Sequence, residues 1–351
     1  MDRMGRRLIG LACIGILAGT LVGCGSTPSP SAPSAPASSG SAPSVSTTSG
    51  AAQSQGSGTA NVAYAGSLQL LDDKTVGPGF EKATGFSYEG RGGGSIGLSN
   101  EIAAGEITPN VFESVGAGPI QPLMPKLTSW YVQLASSPIV VAYNPKTRFG
   151  SRLAAIAKGQ KPIADLFSLM EQPGFLLGRT NPRTDPQGQA FYEMVELAQS
   201  QLHLPAGTVT KVLGSIDNPS QVFAETALES RLQSGQLDAA SAFLSQAIQL
   251  HLPYITLPAG MNFGNPALAS QYATASLDLG KGNVVHGVPL VIDITTIGSQ
   301  DAQAADSFVA YSLSKAGQQA LQAGGYELLQ PTVFGNRSAV PAGVLKDLSR
   351  S

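Results

Sequence analysis

Residues 61–104 read NVAYAGSLQLLDDKTVGPGFEKATGFSYEGRGGGSIGLSNEIAA and contain two successive units in which a short strand precedes a helix. The runs Asn61–Tyr64 and Phe86–Glu89 predict the strands. Leu68–Phe80 and Ile96–Ala104 predict the helices. Because alternation of strand and helix is typical of α/β units with mostly parallel sheets, this stretch indicates an α/β fold.

The same alternation continues through the rest of the chain. Further strands are predicted at Val111–Ser114, Ser137–Tyr143, Phe175–Gly178, Leu237–Phe243, Tyr254–Leu257 and Val288–Ile294. Further helices are predicted at Ala164–Glu171, Pro186–Leu202, Gln221–Gln233, Leu244–Leu250 and Ala302–Ala323. Residues 60–351 are too many for one open sheet of ordinary size, so we expect two lobes.

Composition excludes several classes of function. The chain has 351 residues with 21 Lys+Arg against 23 Asp+Glu, which is not the basic balance that a nucleic-acid-binding protein needs to neutralise phosphates. An apolar fraction of 42% is sufficient for a core and argues against wholesale disorder. The three histidines include no pair at metal-ligand spacing, so no metal site is predicted. No cofactor is predicted either.

The N-terminus has the pattern of an export signal. Arg3, Arg6 and Arg7 precede the uncharged run Leu8–Gly23, which is too short to span a bilayer comfortably. The tetrapeptide 21–24, Leu-Val-Gly-Cys, resembles the bacterial lipobox, so we predict a lipoprotein signal peptide over residues 1–23 and lipidation of Cys24. The alternative is an ordinary secretory signal followed by a chance cysteine.

A tether follows the predicted lipidated cysteine. Residues 24–59 are rich in Ser, Pro and Ala, carry no charge, and include Val45 as the only bulky apolar residue after Cys24. Such a segment has no face to bury and behaves as a flexible coil. We therefore expect an exported protein anchored by lipid to the outer face of the cytoplasmic membrane. The anchored domain would lie in the periplasm or on the surface of a Gram-positive cell, and the long tether favours the surface.

Two strand-to-helix junctions share one local design. Gly66 precedes Ser67 at the first junction, and Gly94 precedes Ser95 at the second. Glycine lets a ligand approach the main chain, and a serine hydroxyl beside the unpaired N–H groups of a helix start adds one more donor. Together these groups predict a receptor for a small anion that uses no formal positive charge. The alternative is that both serines only cap helices.

Asp185 stands at a third junction, where an N-cap residue is expected. Pro186 fits the first helical turn after it. A carboxylate here would repel an oxyanion unless it reached the central atom of the anion or carried a proton. Asp185 is therefore interpreted both as a helix cap and as a candidate ligand contact.

The order and spacing of several short motifs resemble the molybdate/tungstate-binding lipoproteins of ABC transporters over nearly all of residues 60–340. The motifs are GSL at 66–68, GFEKATG at 79–85, GS at 94–95, VVAYNP at 140–145, NP at 181–182, DP at 185–186, Gly188, SGQLD at 234–238 and YITLP at 254–258. The resemblance implies a type II periplasmic-binding-protein-like fold: two α/β lobes, a ligand cleft between them and two hinge crossings. The lobes would be 60–143 with 289–351 (lobe 1) and 144–288 (lobe 2).

The resemblance also implies a site and a function. Ser67 and Ser95, with Gly66 and Gly94, would supply hydroxyl and backbone donors from lobe 1, and Asp185 would approach the metal atom of the oxyanion from lobe 2. The family also uses a glutamate where this chain has Ala242 in an acid-free segment. We therefore expect tetrahedral binding by neutral donors, with six-coordinate binding by carboxylates left open.

The expected function is capture of molybdate or tungstate by a monomeric receptor that delivers it to an ABC permease. One alternative keeps this architecture and binds sulfate, phosphate or a small organic anion. Another arises because GGSIG at 93–97 matches the nucleophile pattern G-x-S-x-G, which would make the protein an exported serine hydrolase using Ser95 and His286. Gly92, Gly94 and Gly97 also match the dinucleotide-binding pattern G-x-G-x-x-G. The helix after them is short and an exported protein rarely meets a dinucleotide, so this pattern does not predict a cofactor.

Overall fold

The computed structural model describes residues 56–348. The predicted signal peptide, Cys24 and the tether up to residue 55 lie outside the described residues. The first strand begins at Thr59, the last residue of the predicted tether. Within residues 56–348, none of the helices combines the length and the apolar character needed to cross a membrane.

The described residues form a mixed α/β fold whose core contains both sheets and helices. The strands are β1 Thr59–Ala65, β2 Ser87–Gly93, β3 Val111–Val115, β4 Trp130–Ser136, β5 Ile139–Tyr143, β6 Leu177–Gly178, β7 Ala239–Phe243, β8 Tyr254–Ile255, β9 Ser276–Asp278, β10 Val284–His286, β11 Val291–Thr296 and β12 Glu327–Gly335. The α-helices are α1 Gln69–Leu71, α2 Gly77–Thr84, α3 Ser95–Ala104, α4 Gly150–Ala157, α5 Ala164–Met170, α6 Pro186–Gln201, α7 Thr208–Leu213, α8 Glu225–Gln233, α9 Leu244–Gln249, α10 Ala269–Tyr272, α11 Ala302–Leu313, α12 Lys315–Ala323 and α13 Ala342–Leu348.

The strands form two main sheets, one in each lobe. Lobe 1 contains a six-stranded sheet in the order β12-β4-β11-β3-β1-β2, and lobe 2 a four-stranded sheet in the order β6-β7-β5-β8. Strands β9 and β10 form a separate antiparallel hairpin. Only the β1–β2, β1–β3 and β6–β7 ladders of the described residues are parallel, so the expectation of mostly parallel sheets is wrong. The strands β4, β5 and β11, at the crossings between the lobes, pair with their neighbours in antiparallel ladders. The local sequence pattern does not reveal strand direction.

The two crossings between the lobes lie side by side. Strand β4 ends in the first sheet at Ser136, and β5 begins in the second sheet at Ile139. The N–H of Ser137 donates to the carbonyl of Leu290 at 3.2 Å, just before β11 re-enters the first sheet. The sequence division placed Ile139–Tyr143 in lobe 1, whereas this strand pairs with β7 and β8 in lobe 2. An apolar run buried in either sheet has the same pattern, so only the ladders identify its lobe.

Two predicted helices are interrupted. Leu68–Phe80 is divided into a 3-10 turn, α1, a π-helical turn at Asp72–Val76 and α2, because Pro78 has no N–H with which to continue a regular ladder. Ala302–Ala323 is two helices. Ser314 adopts an extended conformation between them, and its side chain accepts from the N–H of Gly317 as the cap of α12.

Strands β4 and β12 were not predicted, and they complete the core of lobe 1. Trp130, at the start of β4, is 3% exposed. Tyr131 stacks on Phe334 of β12 with ring centroids 5.1 Å apart. Both aromatic side chains are therefore packing residues.

Candidate functional site

A cavity of about 410 Å³ lies between the lobes. Its lining includes Gly66 and Gly94 from lobe 1 and Asp185 and Glu225 from lobe 2. At Thr184, which also lines the cavity, the carbonyl accepts from the N–H of Gly97 in lobe 1 at 3.0 Å. The structure therefore joins the lobes at the junctions that the sequence singled out.

Gly94 allows the close approach of the lobes. A methyl group at this position would overlap the carbonyl oxygen of Thr184 and lie 3.1 Å from the Cβ of Asp185. Gly94 has an extended backbone, with φ −61° and ψ 126°, so glycine is needed here for space and not for backbone conformation.

Ser67 lies at the boundary of a second, adjoining cavity of about 300 Å³. The residue is 4% exposed, and its Oγ is buried without a hydrogen-bond partner. Its carbonyl accepts from the hydroxyl of Tyr326 at 2.9 Å, which fixes the turn. A buried hydroxyl without a partner costs free energy, so Ser67 stays a candidate ligand contact.

Ser95 is buried beneath the turn at Gly94. It is 1% exposed, and its Oγ accepts from the N–H of Val115 on β3 at 3.1 Å. The structure therefore places Gly94 and Asp185 at the larger cavity, Ser67 at the adjoining one and Gly66 at both, while Ser95 lines neither.

Asp185 caps α6. Its side chain accepts from the N–H of Gln187 at 2.8 Å, and Pro186 occupies the first turn, so the cap interpretation is confirmed. Asp185 is 7% exposed. Burial raises the pKa of this carboxyl to about 6, although the Gln187 amide opposes the shift. The residue thus combines the role of a cap with a position on the cavity wall.

Glu225, the first residue of α8, is a cavity residue that sequence reasoning missed. Its Oε1 accepts from the side-chain amides of Gln246 at 2.6 Å and Gln187 at 3.2 Å. Its Oε2 faces the turn of lobe 1, where a methyl group on Gly66 would overlap it. Burial, together with repulsion from Asp185 and Glu229, raises the pKa of Glu225 well above its usual range.

The amides beside Glu225 belong to one buried network. The Oε1 of Gln187 accepts from Ser241 at 2.7 Å, and its Nε2 donates to Gln246 at 2.9 Å. Gln246 also donates to Glu229 at 2.8 Å and accepts from the N–H of Phe243 at 2.9 Å. The network holds Glu225 in position relative to lobe 1.

The sequence offered one weak signal for Glu225. The segment Ala239–Leu250, where the family resemblance implies a second carboxylate, has no acidic residue. Glu225 precedes that segment and is the acidic residue in the first turn of α8. Acidic residues are common in the first turn of a helix, because they interact favourably with the helix dipole. The position of Glu225 opposite Gly66 could therefore be found only from the fold.

The described residues do not support the alternative of a serine hydrolase that uses Ser95 and His286. His286 is exposed on β10, where it pairs with Ser276 in the hairpin, and no hydrogen bond joins it to Ser95 in the part of the chain that the structure describes. Residues 56–348 also contain no group of three or more His, Cys, Asp or Glu side chains that could hold a metal ion.

The family model described as "Bacterial extracellular solute-binding protein" matches residues 60–327, which include both lobes and the cavity between them. The chain belongs to this family. The homologues of this chain are solute-binding proteins, which are not enzymes.

Several relatives of this solute-binding protein have names that state binding of molybdenum, molybdate or tungstate. A protein of Haloferax volcanii, provisionally named an ABC transporter molybdenum-binding protein, is 29% identical over 283 residues, which are 81% of this chain and 83% of the relative. The molybdate/tungstate-binding protein WtpA of Pyrococcus abyssi is 26% identical over 237 residues, which are 62% of this chain and 67% of the relative.

A solved structure supports the fold. The periplasmic molybdate-binding protein of Azotobacter vinelandii matches with a TM-score of 0.50 at 17% identity, covering 76% of this chain and 98% of that one. The expected two-lobe, periplasmic-binding-protein-like α/β architecture is confirmed.

Proposed function

We propose that this solute-binding protein captures molybdate or tungstate in the interlobe cavity and delivers it to an ABC importer. One observation carries the proposal: turns at Gly66 and Gly94 of lobe 1 and the α6 cap of lobe 2 line a single cavity. The names of the relatives support the same class of ligand.

Neutral donors are the proposed basis of capture. Among the described residues, the lining of the larger cavity includes no lysine, arginine or histidine. A dianion in a closed cleft must exchange its water shell for fixed dipoles, and hydrogen bonds to a charged partner are roughly twice as strong as neutral ones. The hydroxyl of Ser67 and the backbone at Gly66 and Gly94 would supply these donors, with Gly66 lining both cavities. Ser95 lines neither cavity, so its proposed part is to hold the Gly94 turn against β3. A site without a formal positive charge would still release its cargo.

Closure of the lobes would let the permease distinguish the loaded receptor from the empty one. The Gly97–Thr184 hydrogen bond and the contact at Gly94 exist only where the two lobes meet. Binding would therefore favour closure about the two crossings, and the closed form would dock on the permease. We propose that the receptor acts as a monomer, is exported and is held to the membrane by lipid on Cys24.

The alternative cargo is sulfate, phosphate or a small organic anion bound by the same donors. Thermal denaturation of the purified protein with molybdate, tungstate, sulfate and phosphate separates these ligands. A ligand at 100 times its dissociation constant adds about 2.7 kcal/mol to the free energy of unfolding. We expect molybdate and tungstate to raise the midpoint at the lowest concentrations. If none of the four anions raises it, the proposal is wrong.

A further inference from the structure

The two oxygens of the Glu225 carboxyl group have different environments. Oε1 is held as an acceptor by the amides of Gln246 at 2.6 Å and Gln187 at 3.2 Å. Oε2 faces the Gly66 turn across the interlobe boundary. Glu225 lines the larger cavity, and Ser67, next to Gly66, lines the adjoining one. Oε2 therefore lies against the Gly66 turn, at the wall that lobe 1 and lobe 2 share in the larger cavity.

The charges around this carboxyl group are mostly negative. Asp185 approaches it from the α6 turn, and Glu229 lies one turn further along α8. Asp73 and Lys74 of lobe 1 line the adjoining cavity, and the hydroxyl of Tyr326 lies on the same side. Lys74 is the one cation in this set and is exposed. Within residues 56–348, an ionised Glu225 would thus face other carboxylates without a close cationic partner.

We propose that Glu225 is a neutral carboxylic acid in the loaded cleft and that its Oε2–H donates a hydrogen bond to the captured dianion. This inference rests on the proposed function and deepens it. The proton comes from solvent when the lobes close and returns to solvent when they open, so capture of one dianion takes up one proton at pH values where Glu225 is ionised in the open form.

An ionised Glu225 carboxylate beside the captured dianion would be electrostatically unfavourable. Two like unit charges 4 Å apart repel by about 4 kcal/mol at an effective dielectric constant of 20, and a dianion increases this repulsion. Protonation at Oε1 would compete with the two amide N–H groups that point at it. The proton therefore belongs on Oε2. Desolvation and the neighbouring carboxylates already favour the neutral form, because they raise the pKa of Glu225.

A fixed donor at this position also selects among oxyanions. Fully deprotonated tetrahedral dianions offer an acceptor on every oxygen. Hydrogen phosphate presents an O–H group on one oxygen and needs an acceptor for it. Glu225 thus becomes a specificity-determining residue that favours molybdate, tungstate or sulfate over phosphate.

Calorimetric titration of the purified protein with molybdate at pH 7.5, in two buffers with different enthalpies of ionisation, measures the proton uptake directly. We expect net uptake approaching one proton, and an affinity that falls up to tenfold per pH unit on the alkaline side. A pH-independent affinity without proton uptake would overturn the inference and leave the proposed function standing. Failure of molybdate, tungstate and sulfate to bind at any pH would overturn both.

The pH dependence of molybdate affinity in single variants shows which residue takes up the proton. Glu225→Gln keeps an N–H donor at this position and cannot titrate, so we expect it to bind molybdate without the pH slope. Glu229→Gln is the matched control, since Glu229 lies on the same helix and accepts from the same Gln246 amide at 2.8 Å but lines the adjoining cavity. It should keep the slope. A slope that persists in Glu225→Gln and vanishes in Asp185→Asn would assign the proton to Asp185 and contradict the inference.

Discussion

The backbone N–H of Gly97 in lobe 1 donates to the carbonyl oxygen of Thr184 in lobe 2 at 3.0 Å. This bond joins the first turn of α3 to the residue before the α6 cap. It depends on the absence of a side chain at Gly94, whose Cα lies against the same carbonyl group. The closed arrangement of the lobes is therefore sensitive to a single methyl group.

Gly94→Ala should weaken molybdate binding at least tenfold. The added methyl group would overlap the Thr184 carbonyl and keep the lobes apart, whereas the backbone at φ −61° accepts alanine without strain. Gly97→Ala is the control, because its Cβ would meet the Thr184 side chain at an ordinary 3.6 Å. Isothermal titration measures both affinities, and equal affinities in the two variants would show that closure does not need this contact.

Ser67→Ala should weaken capture about 10- to 100-fold, which corresponds to one hydrogen bond to a charged ligand of about 1.5–3 kcal/mol. The variant should not destabilise the free protein, since the Ser67 hydroxyl has no partner in it. Ser95→Ala should lower the free energy of unfolding, because it leaves the N–H of Val115 unpaired, and should weaken capture only indirectly, through a looser Gly94 turn. Titration and denaturant unfolding separate the two effects. If both variants bind molybdate as tightly as the native protein, neither serine takes part in capture.

Asp185→Asn should bind molybdate as tightly as the native protein or more tightly. Asparagine is an equally good N-cap, and the change removes a negative charge from the wall of the cavity. The measurement is the dissociation constant at pH 7.5, with the thermal midpoint as a check on the cap. A large loss of affinity would instead indicate direct coordination of the metal atom by the carboxylate.

Asp293, on β11, should make the free energy of unfolding depend on pH. The residue is 0% exposed, and burial raises the pKa of its carboxyl group to about 8. Because the folded state holds the proton more tightly than the unfolded chain, this contribution is fully present below about pH 4 and is lost as the pH rises through 8. Urea unfolding at intervals over this range should show a decline that Asp293→Asn reduces. An unchanged slope in that variant would assign the decline to other carboxyls.

His203→Gly and His251→Gly should each raise the free energy of unfolding by about 1 kcal/mol. Both histidines follow helices, in the repeated sequence QLHLP, and both have φ 52° in the left-handed region. They are exposed, so the substitutions remove no core contact. Thermal unfolding of the single variants measures the gain, and a loss of stability would mean that the imidazoles make a compensating contact.

The amino-acid order by itself determined the α/β class and the junctions at Gly66-Ser67, Gly94-Ser95 and Asp185. Strand and helix periodicity, glycine turns and the sequence Asp-Pro at a helix start are local properties, so they can be recognised without the fold. The cap at Asp185 was predicted from two adjacent residues and is present as a 2.8 Å hydrogen bond.

Only the tertiary structure decided which groups share a cavity. The assignment of Ile139–Tyr143 to the second sheet depends on its pairing with β7 and β8, which are distant in sequence. Glu225 meets Gly66 only because the lobes close on each other, and Ser95 is withdrawn behind Gly94 because its hydroxyl bonds to β3. These are long-range contacts whose partners have no fixed sequence spacing, so the distribution of donors and carboxyl groups around the cleft follows from packing and not from any local motif.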